Sequence, residues 1–152
     1  MMQPSSGEMY GERVGPAGPP IDFYFDFVSP YGYLGAVAVE RLAAGLGCGV
    51  EWRPVLLGIT VLKIMGLKAM PDIPLKRDYV QHDLDRYARL LGVPFRRTDA
   101  PMQPLPAMRA FIWLAGQDAA LAQRFGQAVF RAQWGEGRDM SMPAAVAAVA
   151  AS

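Results

Sequence analysis

The residues best placed to do chemistry are Ser29 and Pro30, which stand where a strand pattern gives way to a helix pattern. A serine N-cap followed by proline at the first helical position is typical of a helix start. A helix N-terminus carries roughly half a positive charge and stabilises a nearby anion by about 0.3–1 kcal/mol. The Ser29 hydroxyl is therefore predicted to lie where an anion is stabilised, although an isolated Ser-Pro pair is more often a cap and nothing else.

The flanking elements predict how this pair is positioned. From 21 to 27 the chain alternates, which is typical of a strand with one buried face. The apolar face is Ile21, Phe23, Phe25 and Phe27, and the opposite face is Asp22, Tyr24 and Asp26. A helix follows and is predicted to end at Gly45 and Gly47, and a second strand is predicted over 49–55. Strand, helix and strand in ~35 residues predict a parallel βαβ unit.

The stretch F-D-F-V-S-P-Y-G-Y-L-G resembles the entry motif of the 2-hydroxychromene-2-carboxylate isomerases. These are glutathione-dependent relatives of the kappa-class glutathione transferases, with a thioredoxin-like fold. The resemblance implies glutathione as cofactor and Ser29 as the catalytic, glutathione-binding residue, whose hydroxyl holds the glutathione sulfur as thiolate. In related disulfide oxidoreductases this corner carries Cys-Pro-x-Cys. Ser29 and Gly32 stand at the two cysteine positions, which disfavours thiol–disulfide exchange.

Two further segments resemble the same family. From Leu56 the chain is predicted to turn helical and to stay so, and here the family has a lysine that helps to define the cleft for the substrate carboxylate. The resemblance implies that Lys63 binds substrate, whereas the residue pattern alone favours a solvated lysine. M-Q-P-L-P-A-M-R resembles a family segment near the glutathione cleft, which implies that Gln103 binds glutathione. The implied activity is isomerisation of an unsaturated aromatic ketoacid by reversible thiolate addition.

The rest of the chain is predicted to be helical. One long helix is predicted over 72–91, with a buried stripe of Val80, Leu84, Tyr87 and Leu91. The next is predicted over 118–134, with a stripe of Leu121, Phe125, Ala128, Val129 and Ala132. Ser141 is predicted to cap a final alanine-rich helix. The single histidine, His82, is predicted to lie on a helix surface rather than to act in catalysis.

Composition limits the function classes. A net charge of +1 favours neither nucleic acid nor an anionic membrane as partner. A single cysteine forms no internal disulfide, and one histidine with one cysteine makes no ordinary zinc site, so no metal is expected. No apolar run reaches ~18 residues. We therefore expect a cytoplasmic protein. The resemblance implies that its partners are a small-molecule substrate and glutathione, with a homodimer as one possible assembly.

The expected fold class is α/β. Residues 1–20 are predicted to be a disordered tail, 21–57 a thioredoxin-like β-α-β unit, and 58–152 a helical insertion. The resembled family continues with a β-β-α half, including a proline loop that binds the glutathione backbone, and this half is expected to be missing. A fragment, a truncated gene and a chain that recruits these strands from a partner all fit. An inactive or partner-binding domain is the main functional alternative, and a disulfide oxidoreductase is disfavoured.

Overall fold

The computed structural model describes residues 18–98 and 102–151. Its strands are β1 (Ile21–Phe25) and β2 (Val50–Pro54), and its α-helices are α1 (Pro30–Leu46), α2 (Lys76–Leu91), α3 (Leu105–Ala115), α4 (Ala119–Phe130) and α5 (Pro143–Ala150). A π-helical segment, Gly58–Ile64, and a 3₁₀ turn, Met70–Asp72, separate β2 from α2, and a second π-helical segment, Arg131–Gly135, continues α4. Residues 1–17 of the predicted tail lie outside the described residues.

The predicted parallel βαβ unit is confirmed. β1 and β2 pair in parallel, with Ile21 opposite Val50 and Phe25 opposite Pro54. Helix α1 connects them and ends at Gly47, whose φ of 66° is left-handed backbone that glycine adopts without steric cost. Both strands therefore end at the same edge of the sheet, next to the start of α1.

An aromatic core lies between the sheet and the helices. The ring of Phe25 packs 5.0 Å from both Trp52 and Phe111, and Phe27 packs 4.9 Å from Phe130, measured between centroids. Phe27 and Phe130 are fully buried. Burying one such side chain stabilises a fold by about 1.5–3 kcal/mol, so this cluster anchors β1 against α3 and α4.

The segment between β2 and α2 is less regular than predicted. Helical structure does not continue from Leu56, because it is interrupted at Gly66, where φ is +66°. The helix predicted from Asp72 begins only at Lys76. Proline at 74 holds Ile73 in extended backbone, and Leu75 adopts a left-handed φ of 68°. Both features exclude a continuous helix from 72.

Two apolar stripes are confirmed only in part. On α2, Leu84 is buried but Tyr87 is 44% exposed. On α4, Phe125 and Val129 are buried, whereas Leu121 is 38% exposed and lies in the first turn, which Asp118 caps. On α2 the buried face therefore runs through Leu84 and Ala88 and leaves Tyr87 outside it, and on α4 the buried residues begin at Ala122.

The predicted cap of the last helix is wrong. Helix α5 begins at Pro143 with Met142 at its N-cap, and no side chain caps it. The Ser141 hydroxyl instead accepts the backbone N–H of Gln103 at 2.9 Å. Ser141 therefore joins the loop before α3 to the loop before α5. In the described ranges no helix combines the length and apolarity that a membrane span needs.

Candidate functional site

Ser29 caps α1 as predicted. Its backbone is extended, its Oγ accepts the N–H of Gly32 at 3.0 Å, and Pro30 opens the helix. Its own N–H donates to the carbonyl oxygen of Asp26 at 3.0 Å, which closes a tight corner after β1. Ser29 as a residue is half-buried.

This corner retains hydrogen-bond donors. Pro30 has no N–H, the N–H of Gly32 binds Ser29 Oγ, and the N–H of Tyr33 binds the Ser29 carbonyl. Among the described residues, neither the N–H of Tyr31 nor the hydroxyl hydrogen of Ser29 has an acceptor. A thiolate against this helix end would meet two donors and the positive end of the helix dipole.

Gly32 keeps the corner narrow. A Cβ built on Gly32 would lie 3.1 Å from the carbonyl oxygen of Asp26 and 3.2 Å from Cζ of Phe130. A cysteine here would push on backbone and on a fully buried ring. The second position of a Cys-Pro-x-Cys motif is therefore poorly suited to a side chain in this chain.

The structure corrects the placement of Asp26. It was predicted to share a face with Asp22 and Tyr24, but it is 1% exposed, because β1 ends at Phe25 and alternation no longer applies. Its carboxylate accepts the N–H of Val28 at 3.2 Å and that of Leu57 at 2.8 Å. Burial raises the pKa of Asp26, and the backbone N–H donors oppose that shift. The bond from Val28 N–H to the side chain of Asp26, two residues earlier, is that of an Asx-turn, in which aspartate is favoured. The alternating strand pattern masked this sequence signal.

Two tyrosines in the first turn of α1 make specific hydrogen bonds to distant parts of the chain. The Tyr31 hydroxyl donates to Oδ2 of Asp83 at 2.8 Å, and the Tyr33 hydroxyl donates to the carbonyl oxygen of Pro94 at 2.9 Å. Burial, followed by the hydrogen bond and charge of Asp83, raises the pKa of Tyr31 to about 12. Burial likewise raises the pKa of Tyr33. These bonds hold the first turn of α1 against α2 and the loop after it.

The other two predicted site residues lie on the surface. Lys63 is exposed in the last turn of the π-helical segment and pairs with no acid among the described residues. The Gln103 side chain is exposed, and its backbone is held by Ser141. Within the described ranges no hydrogen bond or ion pair joins Ser29, Lys63 and Gln103 directly, and their binding roles stay predictions. His82 is exposed, as predicted.

Comparison with protein families matches residues 20–152 to the DSBA-like thioredoxin domain. The chain belongs to this family. The 2-hydroxychromene-2-carboxylate isomerase of Pseudomonas putida is 32% identical over 124 residues, which cover 77% of this chain and 57% of the relative. Glutathione S-transferase kappa 1 of Caenorhabditis elegans is 28% identical over 123 residues, which cover 76% and 54%.

A solved structure of a 2-hydroxychromene-2-carboxylate isomerase superposes on this DSBA-like domain with a TM-score of 0.70 and 30% identity. The match covers 86% of this chain and 64% of that structure. The predicted resemblance and thioredoxin-like fold are thereby confirmed. The chain spans a little over half the length of the two relatives above, so the activity of the whole protein is a matter for proposal.

Proposed function

We propose that this chain carries the glutathione-activating corner of an isomerase that acts on an unsaturated aromatic ketoacid, similar to 2-hydroxychromene-2-carboxylate. The observation that carries the proposal is the half-buried Ser29 at the N-terminus of α1, where its hydroxyl hydrogen and the N–H of Tyr31 have no acceptor among the described residues. The isomerase and kappa-class transferase relatives support the reaction class and the use of glutathione.

The corner fits a thiolate. The nearest carboxylate in sequence, Asp26, is 1% exposed, and its two oxygens accept the backbone N–H groups of Val28 and Leu57. A hydroxyl donor and a helix N-terminus both favour a charged sulfur and lower the pKa of a thiol. Bound glutathione supplies a sulfur nucleophile for reversible addition to the unsaturated ketoacid, which permits rotation about the former double bond. Ser29 holds the sulfur in its charged form and does not itself attack.

The segment after β2 provides a surface for the substrate. Lys63 supplies a positive charge for a carboxylate, and exposed Leu62 and Ile64 flank it with apolar surface. Gln103 contributes an amide with a donor and an acceptor for glutathione. A cytoplasmic location and a homodimer belong to the same proposal.

The test distinguishes the role of Ser29 as an N-cap of α1 from its proposed role as a hydrogen-bond donor to the glutathione sulfur. Ser29→Ala removes both, whereas Ser29→Asp keeps a strong N-cap but places a negative charge and no hydroxyl donor against the sulfur. We expect both variants to lose most glutathione-dependent isomerase activity and to raise the pKa of bound glutathione, read from thiolate ultraviolet absorbance. Asp118→Ala, which removes the exposed cap of α4, is the matched control for lost stability alone.

Unchanged turnover in Ser29→Asp would refute the role of the hydroxyl.

A partner-binding domain is the second candidate function, because large apolar side chains between 59 and 75 are exposed: Ile59, Leu62, Ile64, Met65, Leu67, Met70 and Leu75. Calorimetric titration with glutathione discriminates between the two, because a domain that only docks a partner should release no binding heat with this tripeptide.

A further inference from the structure

The buried carboxylate of Asp26 joins two segments that the sequence keeps far apart. Oδ1 accepts the N–H of Val28, which directly precedes the Ser29 corner. Oδ2 accepts the N–H of Leu57, the residue directly before the π-helical segment Gly58–Ile64. The Asp26 side chain therefore hydrogen-bonds both the segment that follows β1 and the segment that follows β2.

The backbone around Asp26 strengthens this link. The carbonyl oxygen of Asp26 accepts the N–H of Ser29 at 3.0 Å, and the carbonyl oxygen of Phe25 accepts that of Val55 at 2.9 Å. Among the described residues, no further backbone hydrogen bond joins the two segments beyond these. Past Val55, the Asp26–Leu57 bond continues the link between the two segments, with a side-chain oxygen in place of a backbone one.

We propose that Asp26 is a positioning residue that fixes the start of the Lys63-bearing segment relative to the Ser29 corner. This inference rests on the proposed function, because it takes Ser29 and Lys63 as the groups to be positioned. A ligand that reaches from the helix end to Lys63 needs both segments at one spacing, and small misplacements at reacting centres cost activity steeply. Asp26 touches neither ligand in this role.

A carboxylate is suited to this task and an amide is not. Both oxygens of Asp26 accept from N–H donors, so an asparagine could satisfy one of them while its own NH₂ group faced the other. Besides burial, only backbone N–H donors shift the pKa of Asp26, and no charged side chain among the described residues contributes to that shift. Asp26→Asn should therefore release one segment with little change in shape.

The test is amide hydrogen exchange on the full chain, compared among wild type, Asp26→Asn and Asp22→Asn. Asp22 lies on the same strand but is exposed and pairs with Arg53. In Asp26→Asn we expect exchange at Val28 or Leu57 to rise at least about tenfold, while Val129 in the core changes less than about threefold. Asp22→Asn should change none of these amides. Unchanged protection at both Val28 and Leu57 would overturn the proposal.

Ligand measurements separate this inference from the proposed function. If wild type isomerises the ketoacid, Asp26→Asn should lower kcat/KM about tenfold or more, and Asp26→Glu should recover part of the loss. If wild type neither binds glutathione nor turns over, the proposed function fails, and the exchange data still decide whether Asp26 holds the two segments. Should Asp26→Asn not fold, wild-type amide shifts of Val28 and Leu57 decide: they should follow one common titration midpoint, and independent midpoints would refute the link.

Discussion

The Tyr31 hydroxyl donates to Oδ2 of Asp83 at 2.8 Å and thereby joins the first turn of α1 to the middle of α2. Asp83 is 8% exposed, and its other oxygen pairs with Arg86. Tyr31 lies two residues after Ser29, so this bond holds the turn that presents the candidate catalytic oxygen. Helix α2 therefore does more than cover the core, because it also holds the first turn of α1.

Removing this bond should loosen the corner. We expect Tyr31→Phe to destabilise the fold by about 1 kcal/mol, the net value of a partly buried hydrogen bond, since Asp83 keeps Arg86 as a partner. Chemical denaturation measures the free energy of unfolding. Tyr24→Phe is the matched control, because Tyr24 is 65% exposed on the polar side of β1, and its removal should change stability by less than about 0.5 kcal/mol. Equal effects of the two variants would contradict a special role for Tyr31.

The same tyrosine predicts a pH dependence at high pH. Its pKa is raised from 10.0 to about 12, so the folded state favours the neutral phenol. The resulting stabilisation is complete below pH 10 and is lost as pH rises through about 12, because an ionised phenol can no longer donate to Asp83. Wild type should therefore lose its stability advantage over Tyr31→Phe across this interval, as measured by urea unfolding at stepped pH. An advantage that persists past pH 12 would argue that the hydroxyl is not the donor.

Local patterns predicted much of the βαβ unit from the sequence. Strand alternation, the Ser29-Pro30 start and Gly47 at the helix end are signals of neighbouring residues, and the structure confirms them. Asp26 shows where such signals stop. The buried Asp26 carboxylate accepts the N–H of Leu57, which lies 31 positions away in the sequence. Patterns among neighbouring residues cannot predict a partner at that separation.

The helical half shows the same limit. The predicted start at Asp72 ignored the restriction that Pro74 places on Ile73, although that signal was present in the sequence. The partner of Ser141 could not be foreseen, because Gln103 lies 38 positions earlier, with α3 and α4 between the two residues. Lys63 and Gln103 came from family resemblance rather than from pattern, and their roles remain to be tested.

Lys63 offers a direct test of substrate binding. We expect Lys63→Met to raise KM for an aromatic ketoacid about fivefold or more with little change in stability, because the side chain is exposed and has no described ion-pair partner. Lys68→Met is the matched control, since Lys68 is also exposed and lies five positions further along. If both substitutions raise KM equally, overall charge rather than a specific contact is responsible, and the assignment of Lys63 fails.

Glycine at 126 is required by the close approach of α4 to the sheet. A Cβ on Gly126 would lie 2.9 Å from Cζ3 of Trp52 and 3.3 Å from Cε2 of Phe111. Gly126→Ala should therefore destabilise the fold by about 1–2 kcal/mol, since overpacking of about 1–3 kcal/mol outweighs the gain in helix propensity. Gly45→Ala in α1 is the control, because nothing lies within 4 Å of its Cβ, and alanine there should stabilise by about 0.5–1 kcal/mol.

Thermal and urea unfolding of both variants measure the two free-energy changes, and near-ultraviolet circular dichroism reports the packing around Trp52. The opposite signs are the informative result, because helix propensity alone would stabilise both. If Gly126→Ala proved as stable as wild type, the indole of Trp52 would have to move away from α4. The ring is held by a hydrogen bond from its Nε1 to Glu40 at 2.9 Å, so such a movement should break that bond and alter the tryptophan fluorescence.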